Sequence, residues 1–189
     1  EKIINSVDKT WHSWHSSSFF HRSQLMQNLA SLLKAQKTEL ARLMAMEMGK
    51  VLHEGIAEIE KCAWVCDYYA TNAENFLESE PIATDFSKSF VSYQPLGTIL
   101  GVMPWNFPFW QVFRFAAPTI MAGNTAVLKH ASNVPGCAMA IESLFREAGF
   151  PDNVFRTLLI GSSLVEKVIQ HHAIKAVSLT GRKKKKKSV

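Results

Sequence analysis

The chain has 189 residues, of which 47% are hydrophobic and 20% are charged. This composition excludes the disordered and fibrous classes, and the length suffices for one well-buried domain or an unequal pair. No apolar run approaches the roughly 20 residues of a membrane helix, and no secretory signal pattern opens the chain. We expect a cytoplasmic protein without a membrane span.

The net charge of +5 is distributed unevenly along the chain. Arg182 and the lysines at 183–187 contribute +6, so residues 1–181 carry 15 basic and 16 acidic side chains. The basic character therefore belongs to one short run and not to the surface of the rest. We expect no specific binding of nucleic acid.

The cysteines and the N-terminal histidines predict no metal site or disulfide framework. Cys62, Cys66 and Cys137 are too few for a framework and have no partners at zinc-site spacing. We interpret them as small apolar residues on buried helix faces. The histidines near the start are interpreted as part of a packed helix: His12, His15 and His21.

The first eighty residues predict helices. Apolar residues recur there at three- and four-residue spacing, as at Leu25, Leu29 and Leu33, and Gly49 indicates a helix end. The texture changes near Pro81, and the β-compatible residues between this proline and Pro95 predict a short extended or hairpin arm.

From Gly97 onward, continuous apolar strands alternate with helices. Strands are predicted at 98–103, 125–129, 154–160 and 173–179, and helices at about 108–121, 135–148 and 163–171. This alternation indicates the α/β class, with a partial parallel Rossmann-like sheet of about four strands. Because ligands bind at the carboxyl ends of such strands, the candidate site residues lie at 104–106, 129–132, 161–163 and 180–181.

The turn after the first of these strands carries the most specific chemistry. Asn106 lies between Pro104 and Pro108, directly before a predicted helix. Its neutral amide can donate a hydrogen bond to an oxygen that gains negative charge, or it can cap the helix. The residues alone leave both roles of Asn106 open. The usual G-x-G-x-x-G fingerprint of dinucleotide-binding folds is absent, so the sequence carries no conventional Rossmann signature.

Several blocks in order resemble the aldehyde dehydrogenase superfamily. They are QPLGTILGVMPWNFP at 94–108, AP at 117–118, AGNTAVLK at 122–129, AGFP at 148–151 and SLTG at 178–181. Within it, residues 104–118 and 129–131 are most similar to bacterial NAD(P)-dependent succinate-semialdehyde dehydrogenases. The resemblance implies the N-terminal cofactor-domain portion of such an enzyme. Its expected parts are a helical part at 1–80, an oligomerisation-type arm at 81–94, a β-α-β cofactor core at 95–181 and a basic tail outside the family pattern at 182–189.

The resemblance implies roles for the residues at the strand ends. Asn106 would help to bind the thiohemiacetal oxyanion, and Trp105 would line the path of the nicotinamide ribose. Lys129 would reach the adenosine ribose, a role that suits a cation at a strand end. Arg114 matches a basic position near the family's active site, with a solvated helix charge as the alternative.

The resemblance also implies that two glycines lie close to the cofactor. Gly161 and Gly181 would let the backbone approach it. Thr180 and Gly181 would open a helix whose N-terminus faces the pyrophosphate.

One departure from the family pattern bears on the choice of cofactor. Ser132 stands where many NAD-specific members carry a glutamate that would repel a 2′-phosphate. We therefore expect NADP or NAD, with NADP favoured. His130 and Asn153 replace a frequent proline and glycine without a predicted consequence, and Val165 replaces a small residue beside the adenine.

The family's nucleophilic cysteine and its base glutamate lie in Gly-Gln-x-Cys and Leu-Glu-Leu-Gly-Gly blocks. Neither block occurs among the 189 residues. We expect a truncated aldehyde dehydrogenase, inactive alone, whose reading frame was lost near Gly181. The family reaction oxidises an aldehyde, here succinate semialdehyde, to the carboxylate.

Two alternatives to a truncated enzyme stay open, together with an expectation about solubility. The chain could be a non-catalytic nucleotide-binding module that packs with itself or with an intact homologue. It could also bind nucleic acid or an anionic membrane through the lysine run. The last strand has an open edge, so we expect low solubility or dependence on a partner.

Overall fold

The computed structural model describes residues 1–181, so the predictions for the basic run lie outside the described residues. It begins with three helices, α1 (Lys2–Trp14), α2 (Phe19–Met48) and α3 (Leu52–Phe76). Ser18 Oγ accepts a hydrogen bond from the His21 amide at 3.2 Å at the start of α2. Gly49 ends this helix in the left-handed conformation, with φ of +74°. The prediction of helices over the first eighty residues is confirmed.

A small hairpin follows the helices. Strand β1 (Glu80–Pro81) pairs antiparallel with β2 (Phe90–Val91), and all four residues are exposed. This confirms the predicted hairpin arm, although its strands have only two residues each. A role of the arm in oligomerisation, and the part boundaries at residues 80, 94 and 181, stay predictions.

Four parallel strands form the main sheet in the order β5-β4-β3-β6. They are β3 (Thr98–Val102), β4 (Thr125–Lys129), β5 (Phe155–Thr157) and β6 (Ile174–Leu179). Helices α4 (Trp110–Met121), α5 (Pro135–Glu147) and α6 (Val165–Ile169) connect successive strands. The predicted α/β class and the four-stranded parallel sheet are confirmed.

Two elements are shorter than predicted by four residues, whereas the others agree to within two residues. After β5 the Leu158 amide still bonds to Leu128 at 2.8 Å, but the Ile160 amide turns back to the Leu158 carbonyl at 3.0 Å. The chain therefore leaves the sheet near residue 158, and the predicted strand to residue 160 is wrong. The helix predicted at 163–171 is a 3-10 turn (Ser162–Leu164) followed by the five-residue α6.

The sheet is covered on both faces. One face packs on α4 and α5, whose cluster continues into α2 and α3 and includes Phe113, Phe145 and Met44. The other face packs on α1 and α6 and includes Val7 and Leu100. The helices thus bury apolar faces in these two clusters, and none within residues 1–181 combines the length and apolarity of a membrane span.

Candidate functional site

The carboxyl ends of the strands bring the predicted residues to one edge of the sheet. In the parallel register, Val102 of β3 lies beside Lys129 of β4 and Leu179 of β6. The segments that follow these strand ends carry Trp105, Asn106, Ser132 and Thr180, and Gly161 follows β5. Since neighbouring strands lie about 4.8 Å apart, β5 and β6 are separated by roughly 14 Å. A ligand that touches the segments after both strands must be extended.

Asn106 does not cap the helix that follows it. The amides of Phe109 and Trp110 at the start of α4 both donate to Glu58 Oε1 of α3, each at 2.9 Å. A buried carboxylate therefore fills the position that the sequence left open to Asn106, and the capping interpretation is wrong. Asn106 is exposed, and Trp105 beside it is 50% exposed.

The carbonyl side of the same turn is held by Lys50. The Lys50 ammonium forms a buried ion pair with Glu58 Oε2 and donates to the Asn106 carbonyl at 3.2 Å. It also lies 3.9 Å from the centre of the Phe107 ring. The turn after β3 is therefore attached through two charged side chains, Glu58 of α3 and Lys50 just before this helix.

His130 holds the turn from the other side. Its Nε2 lies 2.9 Å from the Pro108 carbonyl, and its Nδ1 lies 2.8 Å from the Ala131 amide. In the neutral ring the shorter contact, from the Ala131 amide, favours an unprotonated Nδ1, with the proton on Nε2 donated to Pro108. The Met103 carbonyl, 3.3 Å from Nδ1, would accept from the doubly protonated ring. Burial lowers the pKa of His130, which favours the neutral form.

A cavity of about 340 Å³ lies beyond β4 and β5. Its walls include Ser132 and Gly161, as the sequence places them, together with the apolar Leu158 and Ile160. It does not include Val165, which starts α6. None of its lining residues is a carboxylate, and they are His130, Ala131, Ser132, Pro135, Ala138, Thr157, Leu158, Leu159, Ile160 and Gly161.

Lys129 is the last residue of β4, and the next residue in the chain, His130, is the first that lines the cavity. Lys129 is buried to 8% exposure. Within residues 1–181, no ion pair or side-chain hydrogen bond engages its ammonium group. An amine at a strand end with these surroundings can bind a ligand oxygen.

The N-terminus of α5 is occupied by a carboxylate of the protein. Glu47 of α2 accepts from the Gly136 amide at 2.7 Å and from the Cys137 amide at 2.8 Å. Both α4 and α5 thus receive a glutamate at the end where an anion would otherwise bind. A helix opened by Thr180 and Gly181 would have to follow Gly181, outside the described residues.

Arg114 contacts the predicted site. Its guanidinium donates to Thr180 Oγ1 at 2.9 Å from an exposed position on α4. This contact joins α4 to the end of β6. The alternative of a purely solvated helix charge does not describe it.

The three cysteines are buried on helices, as predicted from their spacing. Burial raises the pKa of each thiol, and nearby carboxylates act in the same direction. None of them presents a thiolate at the carboxyl ends of the strands. Residues 1–181 contain no cluster of three or more His, Cys, Asp or Glu side chains that could hold a metal ion.

Sequence reasoning missed the part played by Lys50 and Glu58 and assigned no consequence to His130. One signal was available for Glu58, which lies three residues after Gly55 and four before Cys62 on the apolar face of α3. A charge on a buried helix face needs a partner. The identity of that partner depends on tertiary packing and could not be read from the spacing.

Comparison with known proteins gives the chain a family. The model of the aldehyde dehydrogenase family matches residues 1–189. A probable succinate-semialdehyde dehydrogenase (NADP+) from Synechocystis is 51% identical over 178 residues, which cover 94% of this chain and 39% of that protein. The curated relative from Mycobacterium avium, a succinate-semialdehyde dehydrogenase (NADP+), is 46% identical over 88% of this chain and 36% of its own length.

Solved structures agree with this relationship. Succinic semialdehyde dehydrogenase from Streptococcus pyogenes, in complex with NADP+, has a TM-score of 0.90 at 33% identity over 93% of this chain and 39% of that one. A betaine aldehyde dehydrogenase point mutant from Staphylococcus aureus, in complex with NAD+, has a TM-score of 0.86 at 26% identity and is covered to 36%. The chain spans about two-fifths of the length of the relatives that it matches. It belongs to the aldehyde dehydrogenase family.

Proposed function

We propose that residues 1–181 form the cofactor-binding part of an NADP-dependent aldehyde dehydrogenase whose substrate is succinate semialdehyde. The observation that carries the proposal is the cavity beyond β4 and β5, which Ser132 and Gly161 line beside the strand end at Lys129. The relatives from Synechocystis and Streptococcus pyogenes, both described with NADP+, support the same assignment.

The shape of the cavity wall fits a bound nucleotide. Gly161 has φ of −69° and ψ of 164°, a conformation open to any residue. A Cβ added there would meet only Ser163 Oγ, at 3.8 Å. The protein thus leaves free space beside this backbone, and we assign that space to the adenosine part of the cofactor.

The charge around the cavity favours a 2′-phosphate. A carboxylate near the ribose would repel this phosphate, whereas the serine hydroxyl of Ser132 can donate a hydrogen bond to it. Lys129 supplies the positive charge at the neighbouring strand end. We therefore assign NADP as the preferred cofactor and NAD as the weaker one.

The turn after β3 faces the reacting end of the cofactor in this proposal. When bound, the nicotinamide of NADP accepts the hydride from the substrate. Trp105 borders the nicotinamide ribose, and the Asn106 side-chain amide donates a hydrogen bond to the substrate oxygen as it gains negative charge. Arg114 holds Thr180, so that the segment before Gly181 keeps its place at the same edge.

We further propose that these residues bind the cofactor without completing the oxidation. Covalent aldehyde oxidation needs a thiolate, and Cys62, Cys66 and Cys137 are buried with raised pKa values. The nucleophile and the base then come from a part joined to, or assembled with, this one. Succinate semialdehyde and NADP incubated with the 189-residue chain should yield no NADPH, and turnover by the chain alone would contradict this.

Cofactor binding can be tested on the chain itself through Lys129. Titration of NADP, followed by tryptophan fluorescence, should saturate, and NAD should bind more weakly. Lys129→Met removes a charge-assisted hydrogen bond and should raise the dissociation constant for NADP about tenfold, or about 1.4 kcal/mol.

Lys37→Met is the matched control for Lys129→Met, because this lysine lies on α2 in an exposed ion pair with Glu60 at 2.6 Å. It should leave NADP binding unchanged. Absence of any saturable signal from the wild-type chain would overturn the assignment of the cofactor.

A further inference from the structure

We propose that Lys50 and Glu58 are positioning residues that fix the orientation of the turn carrying Trp105 and Asn106. The inference rests on the proposed function, in which this turn faces the nicotinamide. It concerns two buried residues outside the strand ends. They act on the turn through its backbone.

Glu58 holds the end of the turn with one carboxylate oxygen. Oε1 accepts two amides, Phe109 and Trp110, each at 2.9 Å and 51 or 52 residues away along the chain. A negative charge at this position also complements the positive end of α4. Glu58 therefore determines where the turn stops and the helix begins.

Lys50 holds the middle of the turn. Its ammonium pairs with Glu58 Oε2, donates to the Asn106 carbonyl at 3.2 Å and faces the Phe107 ring. The carbonyl of Asn106 is consequently held by the residue that lies two positions before α3, while Asn106 as a whole stays exposed. A carboxylate alone could cap α4, but only the lysine reaches the residue that carries the chemistry.

Because both side chains are buried, each depends on the other as its partner. The Lys50 and Glu58 side chains are 6% and 2% exposed, so water cannot substitute for either partner. The Glu58 oxygens divide their contacts between the helix and the lysine. Because a buried pair of this kind gives little net stability, the clearest consequence of its presence is the geometry that it imposes.

The test uses the double variant Lys50→Met/Glu58→Gln in the 189-residue chain labelled with 5-fluorotryptophan. It removes both charges together, so neither is left buried alone, and the introduced glutamine can still accept from the α4 amides through its side-chain carbonyl oxygen. The matched control is Lys37→Met/Glu60→Gln, which removes an exposed ion pair between α2 and α3. The five tryptophan signals are assigned by single Trp→Phe replacements.

We expect the ¹⁹F signal of Trp105 to shift or broaden in the double variant. The signals of Trp11 and Trp14 on α1 should stay in place, and the control should change neither group. Lys50→Gln provides a second route if the double variant does not fold. Its shorter side chain can still donate to Glu58 but does not reach the Asn106 carbonyl, so the Trp105 signal should change in the same way.

Ligand binding separates this inference from the proposed function. Release of the turn should weaken NADP about tenfold, the loss expected for one hydrogen bond to a charged group, and should change the affinity for 2′,5′-ADP less than twofold. A Trp105 signal that stays unchanged in both variants would overturn the positioning role. Failure of the wild-type chain to bind either ligand would instead overturn the proposed function, while the Trp105 signal would still decide the role of Lys50 and Glu58.

Discussion

His130 is a buried histidine whose surroundings favour its neutral form. Desolvation lowers its pKa, opposed by the carbonyls of Pro108 and Met103 and by the charge of Glu47, while Lys129 acts with burial. When pH falls below the ordinary histidine value of about 6.5, the unfolded chain binds a proton that the folded chain resists. Stability contributed by the neutral imidazole is therefore present at neutral pH and lost on acidification.

We predict that His130→Gln reduces this loss. The glutamine amide can keep the donor to Pro108 but does not titrate. Urea unfolding at pH 7.5 and 5.5 should show a smaller decrease in unfolding free energy for the variant than for the wild type. The exposed His53 on α3 supplies the control, and an effect of His53→Gln as large as that of His130→Gln would contradict the assignment.

We predict that alanine at Gly161 leaves stability nearly unchanged but weakens NADP binding, whereas alanine at Gly101 lowers stability. Gly161→Ala places a methyl group in open space, so the unfolding free energy should change by less than about 0.5 kcal/mol. The same methyl group would enter the space assigned to adenosine, and the dissociation constant for NADP should rise about tenfold. A normal NADP affinity in a well-folded Gly161→Ala chain would remove the nucleotide from this cavity.

Gly101 on β3 lies against the Phe115 ring. A Cβ there would lie 2.5 Å from a ring carbon, so Gly101→Ala should cost about 1–3 kcal/mol of stability through overpacking. Chemical unfolding measures this cost directly. The pair separates a glycine required by packing from one that we assign to ligand approach.

The two long helices, α2 and α3, each provide a glutamate that caps the N-terminus of a helix packed on the sheet. Glu47 near the end of α2 accepts hydrogen bonds from the first amides of α5, and Glu58 within α3 accepts them from the amides at the start of α4. Each contact joins an N-terminal helix to a β-α-β unit. Residues 1–80 and the sheet are consequently coupled by charge as well as by the shared apolar cluster.

Glu47→Ala should loosen α5 from α2. Loss of the two amide contacts should cost about 1–2 kcal/mol, which lowers Tm by roughly 3–6 °C. Glu47→Gln retains one acceptor oxygen and should lose less. Glu39→Ala, at an exposed position on the same helix, should leave Tm nearly unchanged, and an equal fall in both alanine variants would argue against the capping role.

The sequence predicted elements with a strong local signal and missed those decided by distant contacts. The strand at 125–129 has an apolar centre at 126–128 between Thr125 and Lys129, and the structure has the same bounds. The end of β5 was misplaced because Leu158–Ile160 is as apolar as a strand, yet a backbone turn removes it from the sheet. Placement of Ser132 and Gly161 on one cavity followed from the parallel order of β4 and β5. The ion pair beneath Asn106 joins positions far apart in sequence, so no local pattern specified it.

For the whole molecule, the decisive surface feature is the open edge of the sheet at β6. Among residues 1–181 this strand has a neighbour only in β3, and Leu179 is 69% exposed and Val177 41% exposed. Unpaired backbone groups beside apolar side chains promote pairing with another strand. The number of strands predicted from the sequence already implied an open edge at the last strand. The structure adds that Val177 and Leu179 are the exposed apolar side chains on it.

We predict that the 189-residue chain self-associates through β6 and that Leu179→Lys reduces the association. A lysine on an edge strand opposes the addition of another strand, because its charge would be buried between the two sheets. It would also be repelled by the same lysine of the second copy. Sedimentation velocity over a range of concentrations should show a smaller average mass for the variant. Met46→Lys, which replaces a side chain 77% exposed on helix α2, adds the same charge away from any strand edge and should leave the association intact. A wild-type chain that sediments as a monomer at tens of micromolar would show that the β6 edge does not direct assembly.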